Sequence, residues 1–162
     1  MRTILYLFLI ILVVGCKTKK PLNTTTETAI LVEEKSRFEK IDLKDVNNQK
    51  MTRAYTLGRR LLDACNSSRF KVFTKEEATD KVIQNATVEK ITKTCQKILV
   101  RNGKFIDLQL LEVTQDNETQ DLFFRYKINF EKKYFERELY VTINSEGKVS
   151  EMKTKELPKK PM

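Results

Sequence analysis

The sequence contains no histidine and only four glycines, three prolines and three cysteines. The lack of histidine excludes catalytic triads built on that residue, and it removes both the commonest general base and the commonest metal ligand. The four glycines form no glycine-rich phosphate loop, and no Cys-x-x-Cys pair is present for thiol exchange. We therefore predict no catalytic residues, no metal site and no cofactor.

The composition is that of one small domain with an excess of basic residues. Hydrophobic residues make up 40% of the 162 positions, which is enough for one core. The net charge is +9, and it remains +8 without residues 1–15, which contain only one charged residue, Arg2. The densest basic clusters lie at the two ends of the mature chain: Lys17, Lys19, Lys20, Lys159 and Lys160. This pattern favours a solvated surface, with the N-terminal lysines facing phospholipid head groups, over a nucleic-acid site.

The N-terminus carries the clearest motif in the chain. Arg2 supplies a positive charge, and residues 4–14 then contain no polar side chain except the Tyr6 hydroxyl. A membrane-spanning helix needs about 20 apolar residues, so this shorter run has the length of a signal-peptide core. The segment ends in Val13-Val14-Gly15-Cys16, which resembles the lipobox of bacterial lipoproteins.

This resemblance implies that residues 1–15 are a signal peptide removed ahead of Cys16. It also implies a diacylglycerol on the Cys16 thiol and a fatty acid such as palmitate on the new amino group. The chain would then be anchored in the cell envelope. Lys17 stands where an aspartate would signal retention in an inner membrane, which favours the outer membrane in a cell with two. The alternative is an uncleaved anchor helix with an incidental cysteine.

Residues 16–48 are predicted to form a tether that becomes partly ordered towards its end. Their first half is polar and includes Pro21 and a threonine cluster, so it offers no face to bury. The apolar triplet Ile30-Leu31-Val32 either docks as an edge segment or stays loose. From Glu33 onward, charged residues alternate with single apolar ones.

Residues 49–157 are predicted to form one α+β domain, followed by a basic tail over 158–162. Apolar residues at steps of three and four predict a first helix from Gln49 to Cys65. The run Thr74-Lys75-Glu76-Glu77 has the form of a capping box, which predicts that a second helix starts at Thr74. A third helix is predicted from Val88, stopped by Asn102-Gly103.

The apolar period then changes from 3.6 to 2, which predicts strands. The four predicted strands span residues 104–113, 120–131, 134–143 and 148–155. Their short connections favour an antiparallel meander. Helices followed by hairpins predict an α+β fold with the N-terminal helices packed on one face of a curved antiparallel sheet.

Two segments resemble the cone-shaped, cystatin-like domains of the nuclear-transport-factor-two-like superfamily. The first is Ala54-Tyr55-x-Leu57-Gly58-Arg59-Arg60-Leu61-Leu62, and the second is Phe130-Glu131 followed by the hairpin over 141–149. The resemblance extends over about Gln49 to Glu156 and is closest to small uncharacterised bacterial members. It implies a cone enclosed by the first helix and the sheet. Members include enzymes, ligand carriers and adaptors, so the fold alone does not give the function.

Three polar side chains are candidates for the interior of such a cone. Tyr55 and Tyr126 could line a pocket, although a core tyrosine with its hydroxyl at the rim is the commoner arrangement. Asp107 lies in a predicted strand and could point inward, but a solvated strand carboxylate is the more frequent case. The remaining inward positions are apolar.

Cys65 and Cys95 remain once Cys16 carries lipid, and an even number of cysteines in an exported domain suggests a disulfide bond. Each lies on the apolar side of a predicted helix. The alternative is a pair of buried free thiols that act as small hydrophobic side chains.

Three functions remain compatible with the sequence. The first is a non-enzymatic, lipid-anchored module that binds a small apolar ligand or another envelope protein. The second is a structural or assembly accessory lipoprotein whose cone is filled by its own side chains. The third is a small hydrolase or isomerase, which would need a cavity lined by ionisable groups. An open apolar pocket would favour the first.

Overall fold

The structure, a computed structural model, describes residues 36–158. In this part of the chain it contains three helices, α1 (Asn48–Ser67), α2 (Asp80–Asn85) and α3 (Val88–Asn102), and five strands, β1 (Phe38–Lys40), β2 (Phe105–Asp116), β3 (Leu122–Phe130), β4 (Arg137–Ile143) and β5 (Val149–Glu156). The predicted α+β class is confirmed. The predicted signal peptide, the Cys16 anchor, the triplet over 30–32 and residues 159–162 lie outside the described residues.

The five strands form one antiparallel sheet in the order β1-β2-β3-β4-β5, so each strand pairs with its neighbours in sequence. The turn over 144–147 closes the last hairpin, and Gly147 adopts φ 79°, the left-handed conformation that favours glycine. β1 covers only Thr114–Asp116 at one end of β2. The rest of β2 therefore has no strand on that side within the described chain.

Helix α1 lies against the sheet at very close range. Its N-terminus is capped by Asn47, whose side-chain oxygen accepts the N–H groups of Gln49 and Lys50. Near its middle, a methyl group in place of the Gly58 hydrogen would lie 2.7 Å from Cδ2 of Leu139 in β4. A glycine at this position is what allows the helix backbone to approach the strand so closely.

The main core fills the space between α1 and the sheet. Alternate residues of β3 face this core and are all buried: Leu122, Phe124, Tyr126, Ile128 and Phe130. Leu62 of α1 and Leu139 of β4 are at most 1% exposed, so solvent does not reach the space between the layers. The prediction that this side of β3 is the centre of the core agrees with the structure.

The second helix begins later than the capping-box sequence predicts. Thr74 and Glu77 do form half of a capping box, because the Glu77 carboxylate accepts the Thr74 N–H at 3.0 Å. The backbone, however, makes only a turn there, and α2 starts at Asp80 after the N-cap residue Thr79. Backbone bonds from residues 77 and 79 to Val149 hold this segment beside β5, and they explain why the turn does not continue as a helix.

The end of the predicted tether belongs to the fold. Phe38–Lys40 forms the edge strand β1, and Val46 is only 5% exposed within the core. From Ser36 onward, the alternation of charged and apolar residues therefore marks an ordered approach to α1.

Candidate functional site

A cavity of about 320 Å³ lies between the helices and the edge strand β5. We name it the β5 cavity, and it is lined by Leu61, Phe73, Lys81, Val82, Asn85, Ala86, Ile91, Ser150, Glu151 and Met152. All three helices, the α1–α2 loop and β5 contribute to its wall. Its volume falls within the range of about 300–1,000 Å³ that is typical of small-ligand sites.

The α1–α2 loop is fixed in place by Arg60. The Arg60 guanidinium forms a bidentate ion pair with the Glu77 carboxylate at 2.7 and 2.8 Å, and it lies 5.8 Å from the centroid of the Phe73 ring. The hydrogen bond from Arg60 lowers the pKa of the Glu77 carboxyl group below its ordinary value. The loop is thereby tied to α1, and Phe73 is held as a wall of the cavity.

Backbone hydrogen bonds hold the segment before α2 against the start of β5. The Thr79 N–H donates to the Val149 carbonyl, and the Val149 N–H donates to the Glu77 carbonyl, both at 2.9 Å. After Val149, no described strand pairs with the outer side of β5. The side chains of Ser150, Glu151 and Met152 therefore border an open cleft instead of another strand.

The cavity combines an apolar interior with a polar rim. Phe73, Val82 and Ala86 are all less than 9% exposed and present hydrocarbon surface. Lys81 and Glu151 also border the cavity but are exposed, so the two ionisable groups stay in contact with water. This arrangement suits a small molecule with an apolar body and a polar group that remains at the rim.

The two tyrosines predicted as pocket residues occupy different environments, and neither borders the β5 cavity. Tyr126 is 1% exposed within the main core, and its hydroxyl has no hydrogen-bond partner among the described residues. Burial raises the pKa of its phenol. The Tyr55 ring lies 6.4 Å from that of Tyr126, while its hydroxyl reaches the surface side of α1.

Tyr55 belongs to a polar cluster with Arg59 and Asp107. The Tyr55 hydroxyl donates to Asp107 Oδ1 at 2.8 Å and accepts from Arg59 Nη1 at 3.0 Å, while Arg59 Nη1 also donates to Asp107 Oδ1 at 2.8 Å. The hydrogen bond from Tyr55 lowers the pKa of Asp107. A register shift between residues 105 and 107 places Asp107 at the uncovered side of β2, within reach of α1. The three groups satisfy one another, so the cluster joins α1 to β2.

Cys65 and Cys95 form a disulfide bond in the structure, with their Cα atoms 4.6 Å apart. Both side chains are buried between α1 and α3. The bond joins the helix that lies on the sheet to the helix that lies on the cavity, so it fixes the position of Ile91 relative to Leu61.

Within residues 36–158 there is no group of three or more acidic or cysteine side chains placed to hold a metal ion. In the same range no helix is long and apolar enough to cross a membrane. Comparison of the chain with protein-family models, curated proteins and solved structures finds no match.

The β5 cavity was not foreseen from the sequence, although part of its wall was. In the sequence, Val82 and Ile91 lie on the apolar sides of two helical patterns, which predicts that both face inward. Whether two such sides meet tightly or leave a gap depends on the length of α2 and on the angle at which α3 packs. Residue periodicity carries no information on either.

Proposed function

We propose that this chain is a lipid-anchored cell-envelope protein whose domain is a non-enzymatic binding module. The observation that supports binding is the β5 cavity, a recess of about 320 Å³ with a mainly apolar wall and the exposed residues Lys81 and Glu151 at its border. Its ligand is a small amphiphile, with its apolar part against Phe73 and Ile91 and its polar group beside Lys81. The domain as a whole is of the cone-shaped cystatin-like type.

The proposed location in the cell envelope rests on the N-terminal sequence. The short apolar run and Val13-Val14-Gly15-Cys16 support removal of residues 1–15 and attachment of lipid to Cys16. Two or three acyl chains would hold the protein in the membrane, since a single chain gives only marginal binding. Lys17 supports the outer membrane in a cell with two membranes.

One observation favours a structural or assembly accessory as a second candidate. The space between α1 and the sheet is filled by Phe124, Tyr126 and Leu139, each at most 1% exposed. If the β5 cavity binds nothing, the domain is a rigid block suited to holding or spacing other envelope proteins.

The anchor is tested by replacing Cys16 with serine in the full-length chain. Serine has no thiol to form the thioether, so we expect an unprocessed precursor that takes up no labelled palmitate. Cys65→Ser, which leaves Cys16 in place, is the matched control and should label like the natural chain. Equal labelling of the Cys16→Ser variant would contradict the proposed address.

The cavity is tested with a fluorescent reporter, which is specific because the chain contains no tryptophan. Phe73→Trp places the reporter in the cavity wall, and Val72→Trp places one on the next residue, which is 50% exposed and does not border the cavity. We expect 10-bromodecanoate to quench the tryptophan at 73 in a saturable manner and not that at 72. Adding Ala86→Phe should fill the cavity and abolish the quenching. Equal quenching at both positions would contradict a ligand site.

A further inference from the structure

One end of the sheet presents exposed apolar side chains among lysines. We name this surface the basic tip, and it consists of Val100, Lys104, Ile106, Lys132, Lys133 and Tyr134. The tyrosine is 78% exposed, Val100 is 76% exposed and Ile106 is 55% exposed. Single exposed apolar residues are common on soluble domains, whereas a cluster at one end is not.

Backbone contacts make the basic tip one continuous surface. It joins the end of α3, the start of β2 and the β3–β4 loop. The Lys132 ammonium donates to the Val100 carbonyl at 3.0 Å, and the Glu131 N–H donates to the Lys104 carbonyl at 3.0 Å. Ile106, Lys132 and Lys133 also line one shared groove of about 440 Å³.

Contacts with the end of α3 hold the β3–β4 loop, and with it Tyr134, in position. Asn102 is fully buried; its side-chain NH2 group donates to the Phe135 carbonyl at 2.9 Å, and its backbone carbonyl accepts the Lys132 N–H at 2.9 Å. The Arg101 guanidinium lies 4.3 Å from the centroid of the Phe135 ring. The β3–β4 loop is thus anchored at both of its ends, so the exposure of Tyr134 is a property of the fold.

The positive charge of this end is only partly compensated. Two carboxylates lie here: Glu131 accepts the Lys104 backbone N–H at 3.0 Å, and Glu136 forms an ion pair with Lys127 at 3.7 Å. Among the described residues, the ammonium groups of the three tip lysines form no ion pair within 4.0 Å. The last described residues lie at this end, because the Leu157 N–H donates to the Glu136 carbonyl at 2.9 Å, and Lys159 and Lys160 follow them in the sequence. At the opposite end of the sheet, in contrast, the turn carboxylates have basic partners: Glu118 pairs with Arg37 at 3.1 Å, and Glu146 pairs with Lys148 at 3.3 Å.

We propose that the basic tip docks on a bilayer that contains anionic phospholipid. The lysines meet the lipid phosphates, while Tyr134 and Val100 enter the interfacial region, where tyrosine is favoured. This inference rests on the proposed lipid anchor, which brings the domain to the membrane. The 19 residues from Lys17 to Lys35 can extend about 60 Å, whereas a nine-residue strand is about 30 Å long, so the tether reaches either end of the sheet.

The test uses the full-length chain in phosphatidylcholine vesicles with and without phosphatidylglycerol, which carry brominated acyl chains as quenchers. Tyr134→Trp reports on the basic tip. Phe38→Trp is the matched control, because Phe38 is an aromatic residue that is 50% exposed at the opposite end of the sheet. We expect strong quenching at 134 only when phosphatidylglycerol is present, and little at 38 in either case. Equal quenching at the two positions overturns the proposal.

Neutralising the lysines tests whether the tip binds lipid through its charge or is only held near the membrane by the anchor. Lys104→Gln, Lys132→Gln and Lys133→Gln together should weaken partition of the tip into anionic vesicles by about 100-fold, and raised salt should act in the same direction. All three side chains are exposed, so the triple variant should fold normally. Unchanged quenching at 134 in this variant overturns the proposal.

Flotation of the vesicles distinguishes failure of docking from failure of the anchor. A chain that floats with both kinds of vesicle but is not quenched at 134 keeps the anchor and overturns the docking. A chain that floats only with anionic vesicles and is quenched at 134 keeps the docking and overturns the anchor. In intact cells, p-benzoylphenylalanine at 134 should form adducts with phospholipid, and adducts mainly with protein would assign the surface to a protein partner instead.

Discussion

The two halves of the sheet are packed differently. We name β3 and β4, with α1 on them, the packed half, and β5 with its cavity the open half. Over β3 and β4, α1 approaches so closely that Gly58 leaves no room for a methyl group, and the side chains between the layers are almost fully buried. Over β5, the helix that packs directly on the strand is α2, which has only six residues, and a cavity remains between this strand and the helices. The comparison suggests that the packed half provides most of the stability, whereas the open half is available for binding.

The largest loss of stability should come from the packed half. Phe124 is 1% exposed at the centre of the core, so Phe124→Ala should lower the free energy of unfolding by about 3–5 kcal/mol. This is a large share of a typical total of about 5–15 kcal/mol. Lys127→Ala, three residues along the same strand but on the opposite face, should cost less than about 0.5 kcal/mol. Urea unfolding followed by circular dichroism measures both, and equal costs would mean that the strand register is wrong.

The next largest effect should come from the bond between α1 and α3. The Cys65–Cys95 disulfide spans a sequence separation of 30, and its removal should lower the free energy of unfolding by about 3–4 kcal/mol. We expect reductant to shift the urea midpoint of the natural chain but not that of the Cys65→Ala, Cys95→Ala variant. Two alkylatable thiols in the unreduced native chain, detected by mass spectrometry, would disprove the bond.

A smaller effect, of about 1–2 kcal/mol, should follow from Glu77→Gln, which breaks the bidentate pair with Arg60 at the cavity wall. The folded-state pKa of Glu77 is lowered, so the stability from this pair is present above the unfolded-state pKa and is lost as the pH falls through the lowered value. Urea midpoints measured from neutral to acidic pH should therefore fall less in Glu77→Gln. Glu118→Gln, at an exposed ion pair, is the control and should follow the natural chain. Parallel pH profiles for the Glu77 variant would contradict this role.

The smallest effect on stability should come from the cavity wall itself. Ile91 and Met152 are only partly buried, so Ile91→Ala should cost about 1 kcal/mol, well below the cost of truncating Phe124. The same change should alter 10-bromodecanoate binding measurably, because it removes part of the apolar wall. A cost as large as that of Phe124→Ala would show that the open half is packed like the rest.

Most of the packed half could be predicted from the sequence, because strict alternation in β3 and the stripe on α1 identify the faces that meet. A contact between Cys65 and Cys95 could also be expected from the sequence, because both cysteines lie on the apolar sides of helices and they remain as a pair once Cys16 carries lipid. The register of Asp107 was not predictable, because a shift near residue 106 turns it towards Tyr55 and Arg59. The start of α2 was misplaced for a similar reason, since a tertiary contact with Val149 overrides a local capping signal.

The open half was harder to predict, because the size of a cavity depends on helix lengths and packing angles that residue periodicity does not give. Lys104 of the basic tip lies 28 positions before the pair Lys132-Lys133 in the sequence. The antiparallel pairing of β2 with β3, which includes the bond from the Glu131 N–H to the Lys104 carbonyl, brings them to one surface.

The most direct test of the proposal that the open half binds ligand and the packed half does not is a methyl NMR titration of the folded chain with decanoate. We predict saturable shifts of the Leu61, Ile91 and Met152 methyl signals, no shift of the Leu139 signals in the packed half, and loss of the response in Ala86→Phe. Shifts at Leu139 that equal those at Ile91, or no saturable shift at any of these methyl groups, would contradict the assignment of binding to the β5 cavity.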